Sequence, residues 1–236
     1  EWNNLLSKIK KINNNIYADI FGDRAFEIAK KNKLKGIKIH SSDLTNKILI
    51  KKLKNNKIKY FLSTGGSTLD EISYALKIFK LNKIKPILLH GYQAYPTDIS
   101  DTNLNRIDKF KEIFGNNCEY GYQDHTSGDD FMNLILPQTA IGKGATYIEK
   151  HVTLNRKDKG IDYYSSVEPK NLKKFIELVR NNELALGKTN LSFSKKETKY
   201  RKVFKKIWVA KKNLKKNHKI KFEDLIMKRT NNLKIN

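Results

Sequence analysis

Short apolar runs alternate with longer segments of helical period along most of this chain. The runs lie at 16–20, 36–39, 58–62, 86–89, 119–122 and 145–148, and most are rich in Ile, Leu or Tyr. Brief runs of that kind suit strands covered on both faces. Between them, 68–81 places Leu69, Ile72, Ala75, Leu76 and Phe79 on one stripe, with Thr68 and Glu71 in capping-box spacing. The stretch 103–114 repeats the pattern through Leu104, Ile107, Phe110 and Phe114, and 169–186 opens on Pro169, a favoured first helical residue. Residues 2–12 also read as a helix. Strand starts recur at about the length of a βα unit, so a parallel sheet is expected.

Two parallel architectures compete, an open doubly wound sheet and a closed (β/α)8 barrel. The pattern predicts six strands and opens in a helix. On the barrel reading, the expectation is an α/β TIM barrel lacking its first two βα units over 1–187. A polar, helix-poor linker at 188–199 would follow, and then a small partial domain at 200–236. In that last segment 206–210 reads as a strand and 222–227 as a short helix or strand.

Composition changes this picture little. The net charge of +24 raises nucleic acid as a partner. The excess is nearly all Lys, spread through every segment, whereas Arg is confined to Arg24, Arg106, Arg156, Arg180, Arg201 and Arg229. Nucleic-acid sites favour the planar Arg fork, so biased surface composition explains the charge and no nucleic-acid partner is expected. No apolar run reaches the length of a membrane span. The lone Cys118 excludes an internal disulfide and fits a reducing cytoplasm.

Functional groups follow the strands, where parallel α/β folds bind ligands. In order they are Lys38, Ser41 and Asp43; Ser63, Thr64, Gly65 and Gly66; His90, Gln93 and Tyr95; Gln123, Asp124 and His125; and Glu149, Lys150 and His151. Ser63 to Gly66 reads either as a turn with an N-cap or as an anion cradle at a helix N-terminus. Lys38 sits within an apolar run, where a cation needs an anionic partner. His125 and His151 close adjacent strands, each with a nearby carboxylate, and neutral imidazoles so placed can share one divalent ion. A long loop after His151 carries Asp158, Gly160, Asp162, Tyr163, Tyr164, Ser165 and Ser166.

The segments KIHSSDLTN, FLSTGGSTLDEI, LLHGYQAYPTDISDTNL, GYQDHTSGD, GATYIEKHVTL and KGIDYYSSVEP resemble, in this order, the sialic acid synthase family. The tail WVAKKNLKKNHKIKFEDLIMKRT resembles the start of that family's antifreeze-like (SAF) domain. The resemblance implies a TIM barrel that joins phosphoenolpyruvate to an N-acetylated amino sugar with a divalent metal, Mn2+ or Mg2+. It implies His125 and His151 as metal ligands, and Lys38, Ser41 and Ser63 around phosphoenolpyruvate. Asp43, Tyr95, Glu149 and Asp162 would face the sugar and the reacting centre, and Arg229 would serve a neighbouring subunit of a domain-swapped homodimer. Gln93 and Gln123 depart from the residues usual near the phosphate, and Asp43 is one methylene shorter than the Glu of some members. Related synthases of legionaminate or pseudaminate type, and a non-catalytic carbohydrate-binding relative, are the competing readings.

Overall fold

A computed structural model describes residues 1–53 and 58–229. The chain divides into two compact units, Glu1–Leu186 and Gly187–Asn236. The first runs α1 (Trp2–Ile12), β1 (Tyr17–Ile20), α2 (Gly22–Lys31), β2 (Gly36–Ile39), α3 (Lys47–Lys52), β3 (Lys59–Ser63), α4 (Leu69–Leu81) and β4 (Ile87–His90). It continues through α5 (Asn105–Phe114), β5 (Glu119–Asp124), α6 (Met132–Gly142), β6 (Tyr147–Lys150) and α7 (Pro169–Leu186).

The six strands form one parallel sheet in the order β1-β2-β3-β4-β5-β6. Each new strand adds to the same edge, so the winding never reverses. A doubly wound sheet requires such a reversal, and that alternative is excluded. The sheet is also curled. Strands β2 and β6 would lie roughly 19 Å apart if it were flat, yet the Lys38 ammonium of β2 meets Glu149 of β6 at 2.8 Å. Likewise Lys59 of β3 donates to the Tyr147 hydroxyl of β6 at 2.9 Å. This is the curvature of part of a barrel.

The outer face of the sheet carries Ile20, Ile37, Ile39, Tyr60, Leu62, Leu88 and Tyr120. It packs against Phe26 and Ala29 of α2, Leu49 and Ile50 of α3, Ile72, Ala75 and Phe79 of α4, and Ile107 of α5. Helix α4 starts where the sequence predicts, with the Thr68–Glu71 capping box formed. Helix α6 contains Pro137. Its missing N–H leaves the carbonyl four residues back without a helical donor, and Lys150 supplies one to Asn133 O at 3.1 Å.

The inner face opposite the helices has layers. At the bottom, Tyr17, Phe61 and Tyr147 pack edge to face, with centroids 5.6 and 5.5 Å apart. Two glycines make room for this floor: a Cβ on Gly36 would come within 2.4 Å of the Tyr17 ring, and one on Gly121 within 2.7 Å of Tyr147 O. Above the floor opens a cleft of about 600 Å³.

The second unit contains α8 (Lys195–Phe204) and an antiparallel pair, β7 (Ile207–Ala210) and β8 (Leu225–Lys228). Helix α8 corrects the expected helix-poor linker at 188–199. Ser194 caps it, with Glu197 closing a capping box, and that signal is legible in the sequence as S-x-x-E. Tyr200 stacks on Phe204 at 5.1 Å, and the Arg229 guanidinium lies over the Phe204 ring at 5.3 Å. Residues 230–236 of the expected final domain lie outside the described residues.

Candidate active site

Register and the two-residue period of a strand decide which groups share the cleft. Gln123 lies opposite Glu149 and Asp124 opposite Lys150. Gln123 and His125 therefore fall on one face with Glu149 and His151, while Asp124 and Lys150 fall on the other. The DHT carboxylate does not orient His125, contrary to the sequence expectation. Asp124 is fully buried on the helix side, paired with Lys150, and also accepts from the Thr126 N–H at 3.0 Å. His90 is likewise turned to the helices, against Phe110 and Tyr122, with its Nε2 2.7 Å from Thr102 O.

His125 is fixed instead by Tyr92, whose carbonyl accepts from Nδ1 at 2.6 Å. That bond sets the tautomer and leaves Nε2 free as a ligand. Burial pushes the imidazole below its ordinary pKa, which favours the neutral, metal-binding form. The backbone is pinned as well: the His125 carbonyl accepts from Thr97 N–H at 2.9 Å and from the Ser165 hydroxyl at 2.7 Å. The His125 and His151 rings lie 5.2 Å apart, and Tyr95 covers both at 4.4 and 5.6 Å. Ligand atoms of His125, Glu149 and His151 all lie within 4.8 Å of one another. Two imidazoles and a carboxylate form a donor set that can hold a divalent ion when water or substrate completes the shell.

Glu149 stands at the centre of a longer polar chain. Tyr95 donates to Gln93 at 2.7 Å, Gln93 to the Ser63 hydroxyl at 3.1 Å, Ser63 to Gln123 at 2.7 Å, and Gln123 to Glu149 at 3.0 Å. Every donor points the same way, toward the carboxylate, and such chains strengthen cooperatively. Two glycines accommodate the glutamines: a Cβ on Gly65 would approach Gln93 Cγ to 2.5 Å, and one on Gly91 would approach Gln123 Cβ to 2.7 Å. Gln93 and Gln123 thus act on Ser63 and Glu149, a role that sequence comparison at single positions does not expose.

Lys38 reaches Glu149 at 2.8 Å and Asp19 of β1 at 2.9 Å. Burial alone would lower the ammonium pKa, but the two carboxylates outweigh it and hold the group above its ordinary value. Burial also opposes ionisation of Glu149, yet Lys38 and the Gln123 amide keep that carboxyl below its ordinary pKa. Asp19 was not expected from the sequence. Its signal was an acid inside a strand run, the counterpart of the Lys38 signal.

The remaining expected residues differ in where they lie. Asp43 accepts from Gly22 N–H and from Asn46, each at 2.9 Å, so both of its oxygens tie local turns together. Ser41 opens the turn after β2, half-buried. Around Ser63-Thr64-Gly65-Gly66 the N–H groups of Thr64, Ser67 and Thr68 bond Leu89 O, Thr64 O and Glu71, forming the turn and the N-cap of α4. Asp162, in the left-handed region at φ 57°, lies 3.9 Å from His151 Nδ1. Its loop is organised by Arg156, which donates to the carbonyls of Tyr163 and Ser166 at 2.6 Å each. Arg229 belongs to the second unit.

The chain is 32% identical to N,N'-diacetyllegionaminic acid synthase of Campylobacter jejuni over 97% of its length and 67% of that protein's. It is 30% identical to pseudaminic acid synthase of Helicobacter pylori over 86% of its length and 58% of that protein's. The crystal structure of the N-acetylneuraminic acid synthetase of Leptospira borgpetersenii superposes with a TM-score of 0.75 at 30% identity, over 86% of this chain and 70% of that one. The chain spans about half to two thirds of the length of the curated relatives it matches. The family model described as NeuB matches residues 1–191, and the chain belongs to the NeuB family.

Proposed function

We propose that this chain carries the condensing site of a nonulosonic acid synthase, which joins phosphoenolpyruvate to an N-acetylated amino sugar and releases phosphate. The observation that carries the reading is the juxtaposition of two kinds of site in one cleft. His125, His151 and Glu149 converge within 4.8 Å, and the Lys38 ammonium lies 2.8 Å from the same Glu149. A metal-type donor set beside a half-buried cation suits a reaction between a carbonyl and a phosphorylated anion. Such an enzyme works from a closed (β/α)8 barrel, of which β1–β6 would be six consecutive strands.

His125, His151 and Glu149 would hold a divalent ion, Mn2+ or Mg2+. The chemistry such an ion supplies is Lewis-acid polarisation of the open-chain aldehyde. Lys38 binds and orients the anionic groups of phosphoenolpyruvate. C3 of phosphoenolpyruvate then bonds to the aldehyde carbon, water adds at C2, and the C2–O bond to phosphate breaks. Glu149, held by Gln123 and Lys38, would orient that water. Tyr95 and Asp162, beside the histidines, face the sugar. The proposal includes a dimer in which Arg229 serves a neighbouring subunit.

Relatives named for legionaminic and pseudaminic acids match most of the chain, so the sugar panel should include their precursors beside N-acetylmannosamine. Phosphate release from phosphoenolpyruvate is measured with the protein carrying this sequence, with and without Mn2+. Release that requires both a sugar and the metal supports the proposal. No sugar-dependent release across the panel sinks it.

A further inference from the structure

Lys38 is the half-buried cation of the cleft, and its ammonium already pairs with two carboxylates. Its two carboxylate partners are not equivalent. Glu149 is also held by the Gln123 amide, at the end of the chain that starts at Tyr95. Among the described residues, Asp19 makes no hydrogen bond or ion pair besides that to Lys38. The two side chains are equally accessible, 32% exposed for Asp19 and 31% for Glu149, so the difference lies in anchoring and not in reach. Asp19 is the weaker partner.

The register explains why the pair forms. Asp19 lies directly opposite Lys38 in the β1–β2 ladder, and both line the cleft together with Tyr17, Phe61, Leu89 and Glu149. A carboxylate carries the same charge and acceptor geometry as a carboxylate or phosphate of a ligand. An anion entering the cleft therefore meets a cation whose charge is already balanced, and competes with its two acids for the ammonium.

We infer that Asp19 is an internal competitor for Lys38: it holds the ammonium in place in the free protein and is displaced by the incoming anion, so it sets the affinity of the cleft for anionic ligands. This rests on the proposed reading of Lys38 as the anion receptor. Asp19 is thus a positioning residue whose removal tightens anion binding, because the apparent affinity is reduced by the fraction of time the receptor is engaged elsewhere. A purely structural role for Asp19 predicts the opposite sign, since losing a support loosens a site.

The test uses the whole chain, inorganic phosphate as the probe, isothermal titration calorimetry, fixed ionic strength and no added metal. The Lys38→Met variant supplies the baseline for phosphate held by the lysine-rich surface. Asp19→Asn is expected to tighten the Lys38-dependent phosphate site on the order of tenfold, and the gain vanishes in Asp19→Asn with Lys38→Met. Asp19→Ser guards against an idiosyncratic fold of the amide variant, and circular dichroism with thermal melting verifies both. Phosphate binding that depends on Lys38 but is unchanged or weaker in the folded Asp19 variants overturns the inference and leaves the anion-receptor reading standing. Absence of Lys38-dependent binding in every protein overturns both.

Discussion

Asp124 and Lys150, each next in sequence to a cleft histidine, pair with each other on the opposite face of the sheet. Their side chains are 0% and 4% exposed, and the Lys150 ammonium also reaches Asn133 O, the carbonyl that Pro137 leaves without a helical donor. Burial pulls the ammonium below its ordinary pKa against the pull of Asp124. Removing one member strands the other without water. Lys150→Met is expected to destabilise the fold by about 3–5 kcal/mol. Asp124→Asn combined with Lys150→Met should cost less than the sum of the single changes. Urea unfolding of the four proteins checks this, and strictly additive losses would show that the pair is not coupled.

His125 offers Nε2 to the cleft because Nδ1 is committed to the Tyr92 carbonyl. His125→Ala removes one donor of the set and should weaken Mn2+ binding by more than about tenfold, read directly by electron paramagnetic resonance of free Mn2+. His125→Gln can still donate to Tyr92 yet offers no imidazole, so it should keep the fold and lose the ion. Wild-type Mn2+ affinity in both variants would remove the histidine from the ligand set.

Gln123 connects Ser63 to Glu149 through both ends of one amide. Gln123→Leu preserves much of the volume but leaves the buried Ser63 hydroxyl without its acceptor and Glu149 without a donor. A loss of about 1–3 kcal/mol is expected. Gln123→Glu should be worse at neutral pH, because it sets a second carboxylate against Glu149. Denaturant titration of both variants gives the order, and a more stable Gln123→Glu protein would contradict the hydrogen-bond chain.

His90 is buried against Phe110 and Tyr122. Burial pushes its pKa below the ordinary 6.5. As pH falls through 6.5 the unfolded chain takes up this proton before the folded protein does. The stability that depends on neutral His90 is therefore complete above pH 6.5 and is lost as pH falls from there through the folded-state value. His90→Gln, which can still donate to the Thr102 carbonyl, should flatten this part of the stability curve between pH 7 and about 5. An unchanged slope in that variant would assign the acid sensitivity to other groups.

Much of the architecture was legible because it depends on local period and local chemistry. Apolar runs spaced at βα length gave the six strands within a residue or two at most ends, and the Thr68–Glu71 box marked the start of α4. The Ser194–Glu197 box carries the same signal for α8, in a stretch whose polarity reads as linker. Period alone also groups Gln123 with His125, and Glu149 with His151. It does not say which group of a strand faces inward. That is why Asp124 reads as a partner of His125 although the fold turns it toward Lys150.

By itself the sequence determined the βα alternation, the Thr68–Glu71 helix cap, and a set of strand-end groups that contained both histidines. Only the tertiary structure decided the rest. Sequential strand order and curvature brought Lys38 to Glu149 across four strand spacings. Register set Asp19 against Lys38 and Gln123 beside Glu149. The carbonyl of Tyr92, more than thirty residues from His125, selected the histidine's tautomer. The physical reason is one of range. Backbone propensity and side-chain alternation act between near neighbours and are written in the local sequence, whereas charge pairing and hydrogen bonding across the cleft depend on the curl of the whole sheet.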